Sequence, residues 1–189
     1  KNPDLAYGLY DVLKRRKEHV TEVMDGIDYS VWNPETDAHL VETYSGSQLK
    51  GKAANKQTML EQLELGAENG PLVGIFFDGS EAKGGEAMLN ALDRVLSLNL
   101  NLVLVFANDT IKRRGVDKLR KSHANKMAVV VAPDAAMTHR LIAACDLTIA
   151  GDCSEQQMAQ QMIHLHYGAI PVVNKIGCVL ESLGESGEG

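Results

Sequence analysis

The spacing of hydrophobic positions changes near residue 71. From there on, short and continuously apolar runs, Pro71–Phe77, Leu100–Phe106, Met127–Val131, Leu147–Ala150 and Ile170–Val173, alternate with segments of helical period at Glu86–Leu98, Ile111–His123, Ala135–Ala144 and Glu155–Tyr167. Strands apolar on both faces and joined by helices predict βαβ units and a parallel sheet covered on both sides. The expected fold class is therefore α/β, a doubly wound Rossmann-like sheet beginning at about Pro71. Upstream, Ser47–Leu65 reads as a helix with Leu49, Ala53, Met59, Leu60 and Leu63 mostly on one side, and Asp11–Val23 as a short amphipathic stretch with a solvated basic face. Between them, Met24–Asp37 contains the only tryptophan, flanked by the turn pairs Asp25-Gly26 and Asn33-Pro34. Ile27, Val31 and Trp32 are expected to form an apolar peg that anchors this connector on the packed body.

Ligands of doubly wound sheets sit at the carboxyl ends of the strands, so the loops there carry the chemistry. After the first strand, Asp78-Gly79-Ser80-Glu81-Ala82-Lys83-Gly84-Gly85 lacks the Lys and Ser/Thr of a P-loop, and Gly-x-Gly-x-x-Gly occurs nowhere. After the fourth, Gly151-Asp152-Cys153-Ser154-Glu155 leads into a helix, with Asp152 or Ser154 as N-cap and Glu155 placed either to stabilise the helix dipole or to bind a ligand. His164 and His166 point about 200° apart on a helix, a poor metal pair. Composition and spacing stop at an α/β domain with an unspecified ligand.

The overall balance narrows the partners. A net charge of −6 without a long basic block disfavours nucleic acid, and the 44% apolar fraction supports a core. Cys145, Cys153 and Cys178 are odd in number and lack C-x-x-C spacing, which favours reduced thiols. No apolar run approaches the roughly 20 residues that span a bilayer. A cytoplasmic protein without cofactor or metal is expected, or a plastid one if the source is a plant or alga.

Gly26-Ile27-Asp28, Val31-Trp32-Asn33-Pro34, Asp37, Tyr44-Ser45, Leu49 and Gly51-Lys52-Ala53-Ala54-Asn55-Lys56 resemble the interdomain stretch of bacterial starch/glycogen synthases. The resemblance continues through Gly70-Pro71-Leu72-Val73-Gly74, His139-Arg140-Leu141, Ala143, Asp146-Leu147 and Tyr167-Gly168-Ala169-Ile170-Pro171-Val172-Val173. It implies a GT-B glycosyltransferase relative: residues 1–25 the tail of the amino-terminal domain, 26–69 the connector and its helix, and 70–189 an incomplete carboxyl-terminal, nucleotide-sugar-binding domain. The acceptor-binding domain with its catalytic histidine is expected upstream of Lys1, and the closing helices beyond Gly189. The reaction implied is glucosyl transfer from ADP-glucose, sometimes UDP-glucose, to an α-1,4-glucan, with no metal requirement.

A diphosphate leaving group needs positive charge where negative charge accumulates. Where the family has S-R-L-x-x-Q-K-G, this chain has Phe77-Asp78-Gly79 and retains only Lys83-Gly84. Exchanging Arg for Asp78 turns attraction into repulsion, each of order 4 kcal/mol at about 4 Å and an effective dielectric near 20, before solvent screening. Other departures follow the same rim: Phe106-Ala107-Asn108-Asp109 for G-x-G-D, Pro133 for the aromatic of G-Y-D, Met158 within the lost P-C-G-L, and Cys178 for one glycine of T-G-G-L. Glu155 and Gln161 remain, so Lys83, Glu155 and Gln161 are the donor-binding remnants. Three readings result: a catalytically degenerate homologue that binds ADP-glucose or ADP, α-glucan or a partner synthase; an active transferase with an altered donor; and a remnant without a role.

Overall fold

The computed structural model describes residues 8–21, 26–66, 70–77, 91–108, 116–150 and 155–173, with backbone alone at 150 and 155–158. Five strands, β1 (Leu72–Phe77), β2 (Asn101–Phe106), β3 (Met127–Val131), β4 (Leu147–Ala150) and β5 (Ile170–Val172), form one sheet in the order β3-β2-β1-β4-β5. Every pairing is parallel. The expected doubly wound α/β sheet is thus present. The connecting helices are residues 91–96 (α3), Val116–Ser122 (α4), Ala135–Ala144 (α5) and Glu155–His166 (α6), preceded by α1 (Tyr10–Arg15) and α2 (Lys50–Gln62).

Alternation along the strands divides the core. Val73, Ile75 and Phe77 of β1 and Leu102, Leu104 and Phe106 of β2 face one layer, with Leu92 and Leu96 of α3 and Val116 of α4. Leu72, Val103 and Val105 face the other, with Met59 of α2 and Leu141 and Ala144 of α5. Gly74 lies where a Cβ would press on the Cys145 sulfur, so close packing on this face requires a glycine. Lys56 pairs with Asp146 at 2.6 Å, and Asp146 also accepts from the Leu72 amide, tying the entrances of β1 and β4 together.

Two expectations need correction. Val31 does not belong to the peg: Ile27 and Trp32 are half-buried, but Val31 is exposed, because a tight turn in which the Val31 and Trp32 amides both donate to the Asp28 carbonyl directs Trp32 inward and its neighbour outward. The buried stripe of α2 is Gly51, Asn55 and Met59, whereas Leu49 is exposed. This helix packs on two surfaces, the sheet through Met59 and the irregular strap of residues 26–49 through Gly51 and Asn55. Asn55 reads the strap's backbone, accepting from the Val41 amide and donating to the Glu42 carbonyl.

Among the described residues, the basic stretch near the start forms only α1 and a 3-10 turn at Lys17–His19, neither with a buried residue. No helix among the described residues is long and apolar enough to cross a membrane.

Candidate functional site

From β1 the chain crosses to β2 on one side, while its other neighbour in the sheet, β4, leads on to β5. The crevice between their carboxyl ends, at Phe77 and Ala150, is the switch point where ligands of such sheets bind. Asp78 and Lys83 follow β1 in the sequence and residues 151–154 follow β4; these, with Cys178, lie outside the described residues. Glu155 is the first residue of α6 and Met158 follows in its first turn, so both belong to the helix that starts at the crevice.

Gln161 lies farther along α6 and is buried, and its Nε2 has no hydrogen-bond partner among the described residues. A buried amide donor without an acceptor costs about 1–3 kcal/mol, so an oxygen supplied by ligand or water would be favoured there. One turn on, His164 is buried against Phe76 with Nδ1 3.1 Å from the Thr148 hydroxyl; burial pushes its pKa down to about 4. His166 is exposed and meets Tyr29 edge-on, so the two histidines face different neighbours.

The remaining rim positions are described at β2 and β3. Phe106 ends β2, fully buried, with its ring stacked on Phe77 at 4.7 Å and 8°. These two departures from the family pattern are cross-strand partners, and their bulk belongs to the core. Asn108 is exposed just beyond. Pro133 is half-buried between Ala132, whose φ is +48°, and Asp134, which caps α5 by accepting from the Met137 amide at 2.7 Å. The described rim residues therefore lie on the carboxyl-end side, after β2, β3 and β4.

A second cluster lies where the strap meets the domain. Asp37 Oδ2 is 2.7 Å from His139 Nδ1 and accepts from the Tyr167 hydroxyl at 2.7 Å, while its Oδ1 accepts from the His39 amide. Burial alone would raise the Asp37 carboxyl, but these bonds outweigh it and hold its pKa below the usual carboxylate value. Tyr44 donates to the Tyr167 carbonyl at 2.8 Å, and burial pushes its hydroxyl, like that of Tyr167, well above the usual tyrosine range. Lys52 Nζ donates to the carbonyls of Ala143, Cys145 and Tyr167, placing a cation at the carboxyl end of α5. Burial lowers the Lys52 pKa and pushes the Cys145 thiol up to about 12. No role follows for these residues from motif or spacing; their one signal is that all of them except His39 and Cys145 fall at positions matching the family pattern.

No family model matches the chain. It is 31% identical over 187 residues to a glycogen synthase of Rhodopseudomonas palustris, covering 98% of this chain and 38% of that protein. A glycogen synthase of Nitrosomonas eutropha is 31% identical over 182 residues, covering 95% of this chain and 36% of the relative. Among solved structures, the catalytic domain of starch synthase IV from Arabidopsis thaliana bound to ADP and acarbose superposes with a TM-score of 0.79 at 29% identity, covering 96% of this chain and 38% of that one. The sheet and its covering helices thus form half of a GT-B glycosyltransferase. The chain belongs to the starch/glycogen synthase family, as a carboxyl-terminal GT-B domain, and spans about 38% of the length of the first of these relatives.

Proposed function

We propose that this is a synthase-like domain whose donor cleft is catalytically degenerate and which serves glucan metabolism by binding. The observation that carries the reading is where the departures fall. The segments that follow the family pattern belong to the strap, α2, β1, α5, β4 and β5, whereas the departures, Asp78, Phe106, Asn108, Pro133, Met158 and Cys178, fall in sequence at or after the strand ends. The stacking of Phe77 on Phe106 supports it: the bulk at that rim is packed into the core, as a chain selected to remain folded requires.

The starch synthase IV structure carries ADP and acarbose, so a nucleoside diphosphate and an α-glucan are the ligand classes proposed here, with a partner synthase as the alternative partner. Lys83, Glu155 and Gln161 are the proposed donor-side contacts. Gln161 has the most specific support, since its buried amide nitrogen has no partner among the described residues. Residues 1–25, 26–69 and 70–189 are proposed as the tail of an upstream domain, the connector with its helix, and the nucleotide-binding domain, in a cytoplasmic or plastid setting.

Calorimetric titration of ADP, ADP-glucose and maltoheptaose into the full chain tests this, repeated on Asp78→Arg. Weak or absent ADP binding that strengthens by tenfold or more with the restored cation is expected, as about 1.4 kcal/mol of recovered attraction would produce. Unchanged binding would refute the assignment of this loop to the diphosphate. Retention of Glu155 and Gln161 favours a second reading, an active transferase with an altered donor. Extension of a maltooligosaccharide by the longest natural protein with labelled ADP-glucose or UDP-glucose would establish it, and absence of product with both would eliminate it.

A further inference from the structure

The strap is held to the domain differently from everything beneath it. Of its side chains, Asp37 and Tyr44 are buried, along with Pro34, while Trp32 and Leu40 are half-buried and pack on Ile142, Ala143 and Tyr167. Its hold is therefore mainly polar, and it converges on one carboxylate. Asp37 gathers His139 from the middle of α5, Tyr167 from just past α6 and the strap's own His39 amide. Trp32 covers the face of His139, and Asn55 of α2 binds both Val41 and Glu42. The segment before the strap is the opposite case: α1 buries nothing, and Leu9, Val12, Leu13 and Val20 are all exposed.

We propose that residues 28–48 form a latch, folded as part of the carboxyl-terminal domain and fastened by Asp37, which can release as a unit while the sheet stays intact. Free energies of opening differ across a structure, and a segment with few buried apolar contacts opens below the global limit. The sheet, packed on both faces, has no such weak point at its centre. Asp37 is a positioning residue in this scheme: it joins the strap to α5 and to the end of α6.

Hydrogen exchange read by mass spectrometry on the full chain tests the latch. In the unaltered protein the hydrogen-bonded strap amides, those of Trp32, Leu40 and Tyr44 on the strap's own carbonyls and that of Val41 on Asn55, are expected to be protected well beyond those of α1. Asp37→Ala is expected to speed strap exchange by roughly 10- to 100-fold while β1 and β2 keep their protection, the range that loss of hydrogen bonds to a charged group yields. Trp32 emission should shift to the red in the same variant. Three results overturn the proposal: strap amides exchanging as fast as α1 in the unaltered protein, a strap still protected in Asp37→Ala, or strap and sheet losing protection together. If Asp37→Ala does not fold, Tyr167→Phe, which keeps the ring and removes one bond, must show the strap-selective acceleration, and uniform protection in it overturns the latch.

Discussion

The indole of Trp32 lies flat on the imidazole of His139, with centroids 4.0 Å apart and planes within 9°. His39 meets the same imidazole edge-on at 4.9 Å, and Asp37 takes its Nδ1, so a single histidine of α5 receives three side chains of the strap. Trp32 is half-buried, so Trp32→Ala is expected to cost roughly 2 kcal/mol, less than the full-core figure for losing an indole. Urea unfolding followed by far-UV circular dichroism measures it. Trp32→Phe, which keeps an aromatic face for stacking, should recover about half.

Protonation of His164 provides a second prediction. Its folded pKa is lowered to about 4 by burial, against an ordinary value of 6.5. The unfolded chain therefore binds a proton that the folded chain refuses between these two pH values, and stability must fall as pH drops from about 6.5 towards 4. The full effect is up to about 3 kcal/mol. Urea midpoints at pH 7.5, 5.5 and 4.5 should show this slope, and His164→Gln should remove most of it.

The sheet was legible in the sequence because burial on both faces forces continuous apolar runs, and β3, α5 and β4 match their expected bounds. The strap's attachments were not. Asn55 and Lys52 look like the polar face of an amphipathic helix, and no periodicity distinguishes solvent from a backbone that needs hydrogen-bond partners. Likewise His139, separated from Asp37 by 102 positions, becomes its partner only when α5 and the strap meet. Of the site, the crevice follows from strand order, and Gln161 enters as a candidate only through family resemblance, while its unsatisfied nitrogen is a property of packing.

Ala132 occupies the left-handed region, with φ +48°, at the carboxyl end of β3. An L-residue there carries strain that glycine avoids, at about 1–2 kcal/mol less an entropy cost of roughly half that. Ala132→Gly is expected to stabilise the domain by up to about 1 kcal/mol, raising Tm by roughly 2–4 °C. Differential scanning calorimetry is the appropriate measurement. Glu64, with φ +55° just past α2, should respond to glycine in the same direction.

Lys52 spends its ammonium on three carbonyls at 2.9 to 3.1 Å, from Ala143, Cys145 and Tyr167. Methionine would preserve most of the stem and leave those acceptors without the cation. Lys52→Met is expected to destabilise by about 2–4 kcal/mol, since bonds to a charged donor are the stronger kind and their loss leaves partners unpaired. A small effect, below about 0.5 kcal/mol in urea unfolding, would mean that water replaces the ammonium without penalty.

Gly51 sets the approach of α2 to the strap. A Cβ there would fall well inside contact distance of the Thr43 carbonyl oxygen and against the Glu42 carbonyl, both backbone atoms. Neither can rotate away as a side-chain tip could, so Gly51→Ala must push the strap off or bend the helix. Overpacking of this kind costs about 1–3 kcal/mol, partly offset by the better helix propensity of alanine. The damage should be local, because Met59, two turns along, holds α2 on the sheet independently. Gly51→Ala is therefore expected to increase exchange and proteolytic cutting within residues 28–48 while the amides of β1 and β2 stay protected. If cleavage instead began within α2, the helix would be the element that yields.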